Sequence, residues 1–284
     1  MLYLLSALFF SVCIFFTFKY FDKFGINILP AITISYLIAS VSGYFSGSQA
    51  NQMNSFFEQP WLVMAVFTGM SFILTFLVFA VSTQKVGVAM TVVSGKMSII
   101  LSVAVGFLLL AEPMNFMQIT GIASALAAFY LINTAKNDGP VEKKYLFLPV
   151  LLFFGTGAND SLMKLSGVYY PGRDEIQFLT VTFLTAFAIG SIIMLLRLFN
   201  RRLKITWNDM GAGVLLGVLN WFSTYFFIKG LYILPISLFI PVFNAALIFI
   251  AAVSGYFFFG EKLSVLNRIG ILMALLAIAV IAFS

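Results

Sequence analysis

Apolar residues in this chain do not recur at the period of a strand or of an amphipathic helix. They run on almost unbroken in ten blocks, at roughly 1–18, 29–45, 60–82, 86–110, 115–135, 145–167, 176–198, 208–229, 231–259 and 264–284. A helix rises about 1.5 Å per residue, so about 20 apolar residues cross the hydrocarbon layer of a membrane. The pattern therefore predicts an all-α integral membrane protein with ten transmembrane helices. A transmembrane barrel would need dyad alternation, which these blocks lack. The first block has no basic leader and no small-residue cleavage site, so it reads as a retained helix. The longer connections are polar: Ser46 to Gln59, Lys136 to Lys144 with the turn residues Asn137-Asp138-Gly139-Pro140, and Phe199 to Asn208. None has room for a soluble domain. The expected organisation is a first five-helix unit over 1–136, a linker over 137–144 and a second unit over 145–284.

Composition sharpens this picture. Of 284 residues, 62% are hydrophobic and 9% charged, with 34 Phe. Soluble proteins carry about 25% charged residues, and a soluble fold of this size hides only about 75% of its surface. Soluble enzymes, nucleic-acid binders and disordered scaffolds are thereby excluded, and the bilayer is the expected partner. There is no His, so no imidazole base, nucleophile relay or imidazole metal ligand exists. The single Cys13 cannot form an internal disulfide or a metal site. No cofactor is expected.

Shifting the chain against itself by 149 positions aligns the ends of its halves without a gap. Gly106, Glu112 and Gly121 fall on Gly255, Glu261 and Gly270, and Ser71 and Thr75 fall on Asn220 and Thr224. Five spans is an odd number, so a second copy enters the membrane inverted. Inverted repeats are a frequent architecture of secondary transporters, with the substrate near the midplane between the copies. The turns Leu110-Ala111-Glu112-Pro113 and Phe259-Gly260-Glu261-Lys262, between the last two helices of each half, complete a resemblance to the EamA type of the drug/metabolite transporter superfamily. That resemblance implies two inverted five-helix repeats around a central cavity open to one side at a time. It implies a carrier of amino acids, other small solutes or lipid-linked sugars, and no enzyme. One chain already completes the pseudo-dimer, so a monomer is expected.

Twelve of the sixteen basic residues fall on the first, third, fifth, seventh and ninth connections, and three on the other side (Lys164, Arg173 and Lys229). The positive-inside rule then places the odd-numbered connections in the cytoplasm and both termini outside, in the cytoplasmic membrane.

The remaining cation, Lys96 in Val93-Ser94-Gly95-Lys96, falls about 15 Å into its span, near the midplane. A charge there costs at least about 2.5–3.5 kcal/mol, so it should face the cavity and meet an anionic substrate group or a carboxylate. Asp160 is the carboxylate deepest in a span. It could pair with Lys96 or with Lys164, or take up a proton in coupled transport. Pro241 lies over Val92 in the repeat alignment, so its helix break is expected opposite the Ser94-Gly95-Lys96 stretch, with Asn244 over Gly95. Ser71 and Asn220, each four residues before a Thr, and the neighbours Trp221 and Tyr225, could line the cavity or hold helices together. Glu112 and Glu261 are expected to brace the last helix of each half. A membrane-embedded transferase stays a remote alternative, because clustered acids and His are missing.

Overall fold

The computed structural model describes residues 2–46, 59–111, 116–134, 143–171, 173–200, 203–233, 236–261 and 263–282. These form helices α1 (Leu2–Lys23), α2 (Ile28–Ser46), α3 (Leu62–Lys85), α4 (Val88–Met97), α5 (Ile99–Leu110) and α6 (Phe116–Thr134) in the first half. The second half contributes a 3₁₀ turn (Lys143–Tyr145) and α7 (Phe147–Tyr169), α8 (Glu175–Phe199), α9 (Trp207–Ile233), α10 (Ile236–Phe257) and α11 (Val265–Ala282). No strand occurs among the described residues. Helices α4 and α5 make one interrupted span, so the ten predicted spans are present. Six of them are individually long and apolar enough to cross a membrane, and shorter apolar helices complete the bundle. Glu112, Lys262 and most of the predicted linker lie outside the described residues.

Burial explains most of the boundaries. Helix α1 continues five residues past its predicted end because Phe18 and Phe21 are buried, 0% and 3% exposed, against α2 and α3. Large apolar side chains such as Phe9, Phe67, Leu74, Leu195 and Leu272 stay exposed on the outer surface, as suits a lipid solvent. Small residues govern the inner seams. A Cβ added at Gly213 would lie 2.8 Å from the Ala31 carbonyl oxygen, and one at Gly217 2.7 Å from that of Ser35. This Gly-x3-Gly row lets α9 lie directly on the α2 backbone. Likewise Gly121, Ala125 and Ala128 of α6 are buried where that helix pairs with α11, whose Gly270, Ala274 and Ala277 are buried too.

The two halves pack by the same rule. Exchanging α1, α2, α3, α4/α5 and α6 for α7, α8, α9, α10 and α11 turns α2–α9 into α3–α8, α1–α9 into α3–α7, and α1–α10 into α4/α5–α7. The pairs α2–α8, α4–α10 and α6–α11 map onto themselves. Polar contacts fix the faces. Lys85 meets Asp22 at 3.5 Å, Asn27 binds Asp209 and the Lys204 carbonyl, and Lys19 meets Glu261 at 3.0 Å. The first, third, seventh and ninth connections therefore share one end of the bundle. At the other end Trp61, closing the second connection, packs on Phe178 beside Tyr170 of the sixth. Equivalent connections of the halves (first and sixth, second and seventh) thus lie at opposite ends, as inverted units require.

The repeated turns share a backbone feature as well. Ala111 has φ 51° and Gly260, its alignment partner, φ 62°. A left-handed conformation costs an L-residue about 1–2 kcal/mol, while Gly adopts it freely. Ala111→Gly should therefore raise the stability of the purified protein by about 1 kcal/mol and Gly260→Ala lower it by a similar amount. Thermal unfolding in detergent reads both signs, and shifts in the same direction would contradict the shared turn.

Candidate functional site

The repeat axis encloses a cavity of about 320 Å³ at mid-span. Helix α1 contributes Ser11, Ile14 and Phe15; α2 Tyr36; α3 Phe72, Thr75, Phe76 and Phe79. Helix α4 contributes Val92, Gly95 and Lys96; α7 Thr156 and Asn159; α9 Asn220, Ser223, Thr224 and Phe227; α10 Phe243 and Leu247. On α1, α2, α3, α7, α9 and α10 these positions fall near the middle of the helix, and on α4 they lie beside the break in its span, so the wall forms at one depth.

Lys96 is the charged group of this wall. Its ammonium sits 5.6 Å from the centroid of the Phe243 ring, a cation–π arrangement that partly offsets lost hydration. Among the described residues it makes no hydrogen bond and no salt bridge of 4.0 Å or less. The span breaks just after it. Ser98 donates its hydroxyl to the Gly95 carbonyl at 2.6 Å, its N–H bonds the same carbonyl at 3.3 Å, and Leu101 N–H reaches back to Ser98. The ladder thus tightens for one turn into three-residue spacing, as a Ser bonding its own backbone favours. Gly95 keeps space open at the break: an added Cβ would be 3.6 Å from Thr156 Oγ1. The expected interruption therefore lies in α4/α5. Helix α10 runs from Ile236 to Phe257 across Pro241, whose missing donor removes only one bond of a helix held by its neighbours.

A second hollow of about 410 Å³ meets the cavity at Thr224. Its wall continues along α9 through Tyr225, Ile228 and Lys229 to Asp174, Glu175 and Ile176 at the start of α8. It leads to the end bearing the sixth and eighth connections.

The opposite end is closed. Phe18 packs edge-on against Phe76 and near Phe79, Gln84 donates to the Phe18 carbonyl, and Lys19 Nζ reaches the Thr83 carbonyl at 3.4 Å. Glu261 is bound at the centre of this seal. Its Oε1 accepts from Lys19 Nζ at 3.0 Å and from Val88 N–H at 2.7 Å, and its Oε2 from Ala89 N–H at 3.3 Å. It therefore caps α4 of the other half, and among the described residues its side chain makes no bond to α11, the helix the sequence predicts it to cap or brace. The reason lies at Gly87, the N-cap residue at φ 117°, which offers no side chain to the free N–H groups of α4. Gly87 and Gly255 leave the room the carboxylate fills. By the repeat exchange, the α1–α3 contact of this seal should recur between α7 and α9, but no comparable contact joins those helices among the described residues. One end is shut, and its counterpart holds the hollow.

The structure distributes the residues singled out in the sequence as follows. Lys96 and Asn220 lie in the cavity wall, and Trp221 and Tyr225 line the outer hollow. Trp221 is 5% exposed, lodged beside Tyr225. Ser94 is fully buried and its hydroxyl has no partner among the described residues. Asn244 is buried one residue beyond Phe243, and Ser71 is half-buried one turn before Thr75; neither lines the two hollows. Asp160 is exposed and lies outside the cavity lining, toward the break, with Ser98 Oγ 3.4 Å from its carboxylate. It is near enough to Lys96 for electrostatic attraction but not for an ion pair.

Ser11, Tyr36, Thr156, Asn159 and Ser223 are wall residues that the sequence did not single out. Ser11 and Ser223 hydroxyls bond at 2.7 Å, and the Tyr36 hydroxyl donates to the Phe72 carbonyl. Asn159 had a signal in its neighbour. Of these two neighbours, Asn159 lines the cavity and Asp160 lies outside its lining.

Ten spans around a mid-membrane polar cavity make this a multi-pass membrane protein, and its match to a transporter family makes the class that of membrane transporters. Residues 144–283 match the EamA-like transporter family, and this region of the chain belongs to it. An uncharacterized protein of Haemophilus influenzae is 25% identical over 260 residues, spanning 89% of this chain and 84% of its own length. A protein of known crystal structure, 14% identical, aligns over 97% of both chains with a TM-score of 0.57, which shows the common fold.

An ammonium with no ion pair adds a desolvation cost that the Phe243 ring and the more distant Asp160 offset only in part. Lys96→Met should therefore leave the midpoint of thermal unfolding unchanged or raise it. A fall of several degrees would mean that Lys96 locks helices together.

Proposed function

We propose that the protein is a secondary carrier that moves a small organic solute across the cytoplasmic membrane by alternating access. The observation that supports this reading is the asymmetry of a symmetric frame. Helices α1 and α3 meet at one end, while no comparable contact joins their counterparts α7 and α9 among the described residues, and a hollow opens between α9 and the start of α8. Exchanging those two arrangements would turn the cavity to the other side without repacking the lipid-facing surface. The two states are then of similar energy, and a solute bound in either shifts their populations by its differential affinity. The sealed end carries most of the basic connections, so it is the cytoplasmic end, and both termini lie outside. Asp160, held near Ser98 and Lys96 beside the break, is the group placed to exchange a proton as that span moves.

Two measurements test this. A deletion strain and an overexpressor should shift the intracellular level of at least one small solute in opposite directions; identical profiles would overturn the carrier reading. For that solute, Lys19→Cys with Glu261→Cys in a Cys13→Ser background, bridged by a reducible bifunctional thiol reagent, should lose flux and recover it on reduction. Undiminished flux across the bridge would show that this end does not open.

A further inference from the structure

We propose that the cavity selects an organic anion built on a single flat apolar body, a ring-bearing carboxylate without an amino group. This rests on the carrier reading of the same cavity and adds its substrate class. Three features of the wall carry it.

The first is charge. Lys96 brings a full positive charge to the wall, and no carboxylate lines the cavity among the described residues. The nearby acids are engaged or turned away. Asp174 caps α8 through the Ile176 and Gln177 N–H groups, Glu175 pairs with Arg173 at 3.0 Å, and Asp160 lies outside the lining. A cationic solute would meet like charge, and the ammonium of an amino acid would find no counter-charge. An anion supplies the ion pair that Lys96 lacks, in a low-dielectric setting where a charge-assisted bond is strong.

The second feature is the pair of amides, Asn159 and Asn220, which face the same space. Their N–H groups can donate to a carboxylate beside the ammonium. The third is the aromatic rest of the wall. Tyr36, Phe76 and Phe243 are among the rings of a cavity whose volume, about 320 Å³, stands at the low end of the ~300–1,000 Å³ range of small-molecule sites. It has room for one ring together with a short carboxylate-bearing chain, the ring in edge or offset contact with these side chains.

The test holds shape constant and varies charge. Equilibrium binding to the full-length protein in nanodiscs is measured for 3-phenylpropanoate, phenylalanine, phenethylamine and 3-phenylpropanol. The anion should bind at least about tenfold more tightly than each of the other three. Lys96→Met should abolish that preference while sparing 3-phenylpropanol, and Lys96→Arg should retain it. The neutral probe and the Arg variant separate lost charge from lost folding. Equal or tighter binding of the amine, the amino acid or the alcohol would overturn the proposal. So would undetectable binding of the anion at millimolar concentration, or a preference that survives Lys96→Met. These outcomes are read without flux. An anion preference in a protein that moves no solute would refute the carrier reading alone, and flux with a cation preference would refute this one alone.

Discussion

Hydrocarbon cannot solvate an ammonium, and that constraint organises the centre of this protein. Lys96 sits at the middle of its span, and the fold gives it a cavity in place of a partner carboxylate. The helix breaks two residues later at Ser98, Gly95 leaves room beside the break, and Phe243 offers the face of its ring. Around it, hydroxyls and amides from α1, α7 and α9 gather at the same depth. Membrane helices can carry polar side chains inward only where water, protein or solute can meet them. The wall supplies that condition.

The ends of the cavity follow a second constraint, the free N–H groups at a helix start. Helix α4 begins at Gly87, which cannot cap it, so a carboxylate from the far half does so. Glu261 joins α1, α4 and the turn before α11 through one side chain, with Lys19 balancing its charge. The seal is built from one acid, one base and two backbone donors. At the other end a hollow lies between α9 and the start of α8, and the α1–α3 contact has no comparable α7–α9 counterpart among the described residues. The link from packing to function lies in that difference between equivalent places.

Much of this was legible in the sequence, for physical reasons. Continuous apolar blocks give spans because lipid demands helices of a set length. The recurrent Gly/Ala-Glu turns marked the repeat, and Ala111 and Gly260 share its left-handed backbone. Lys96 and Asn220 could be placed because a charge or amide in the middle of an apolar run has few other places to point. Asp160 against Asn159 was not legible, since the choice turns on helix rotation, which an all-apolar background does not record. Nor was the site of the break. Proline at 241 carries the louder signal, but a serine hydroxyl competing for a carbonyl interrupts α4/α5. The reach of Glu261 across the halves also escaped, because local sequence says nothing of which helix start lies opposite.

Entry to the Lys96-centred cavity in mid-membrane runs from the end away from Glu261. It is tested most directly by thiol accessibility. With Cys13→Ser as background, Asn220→Cys and Leu74→Cys place single thiols on the cavity wall and on the lipid-facing surface. In sided vesicles, a charged, membrane-impermeant thiol reagent should modify position 220 rapidly from the end bearing the sixth and eighth connections, and position 74 not at all. Protection of position 220 from both sides, or faster reaction from the Glu261 end, would contradict the account.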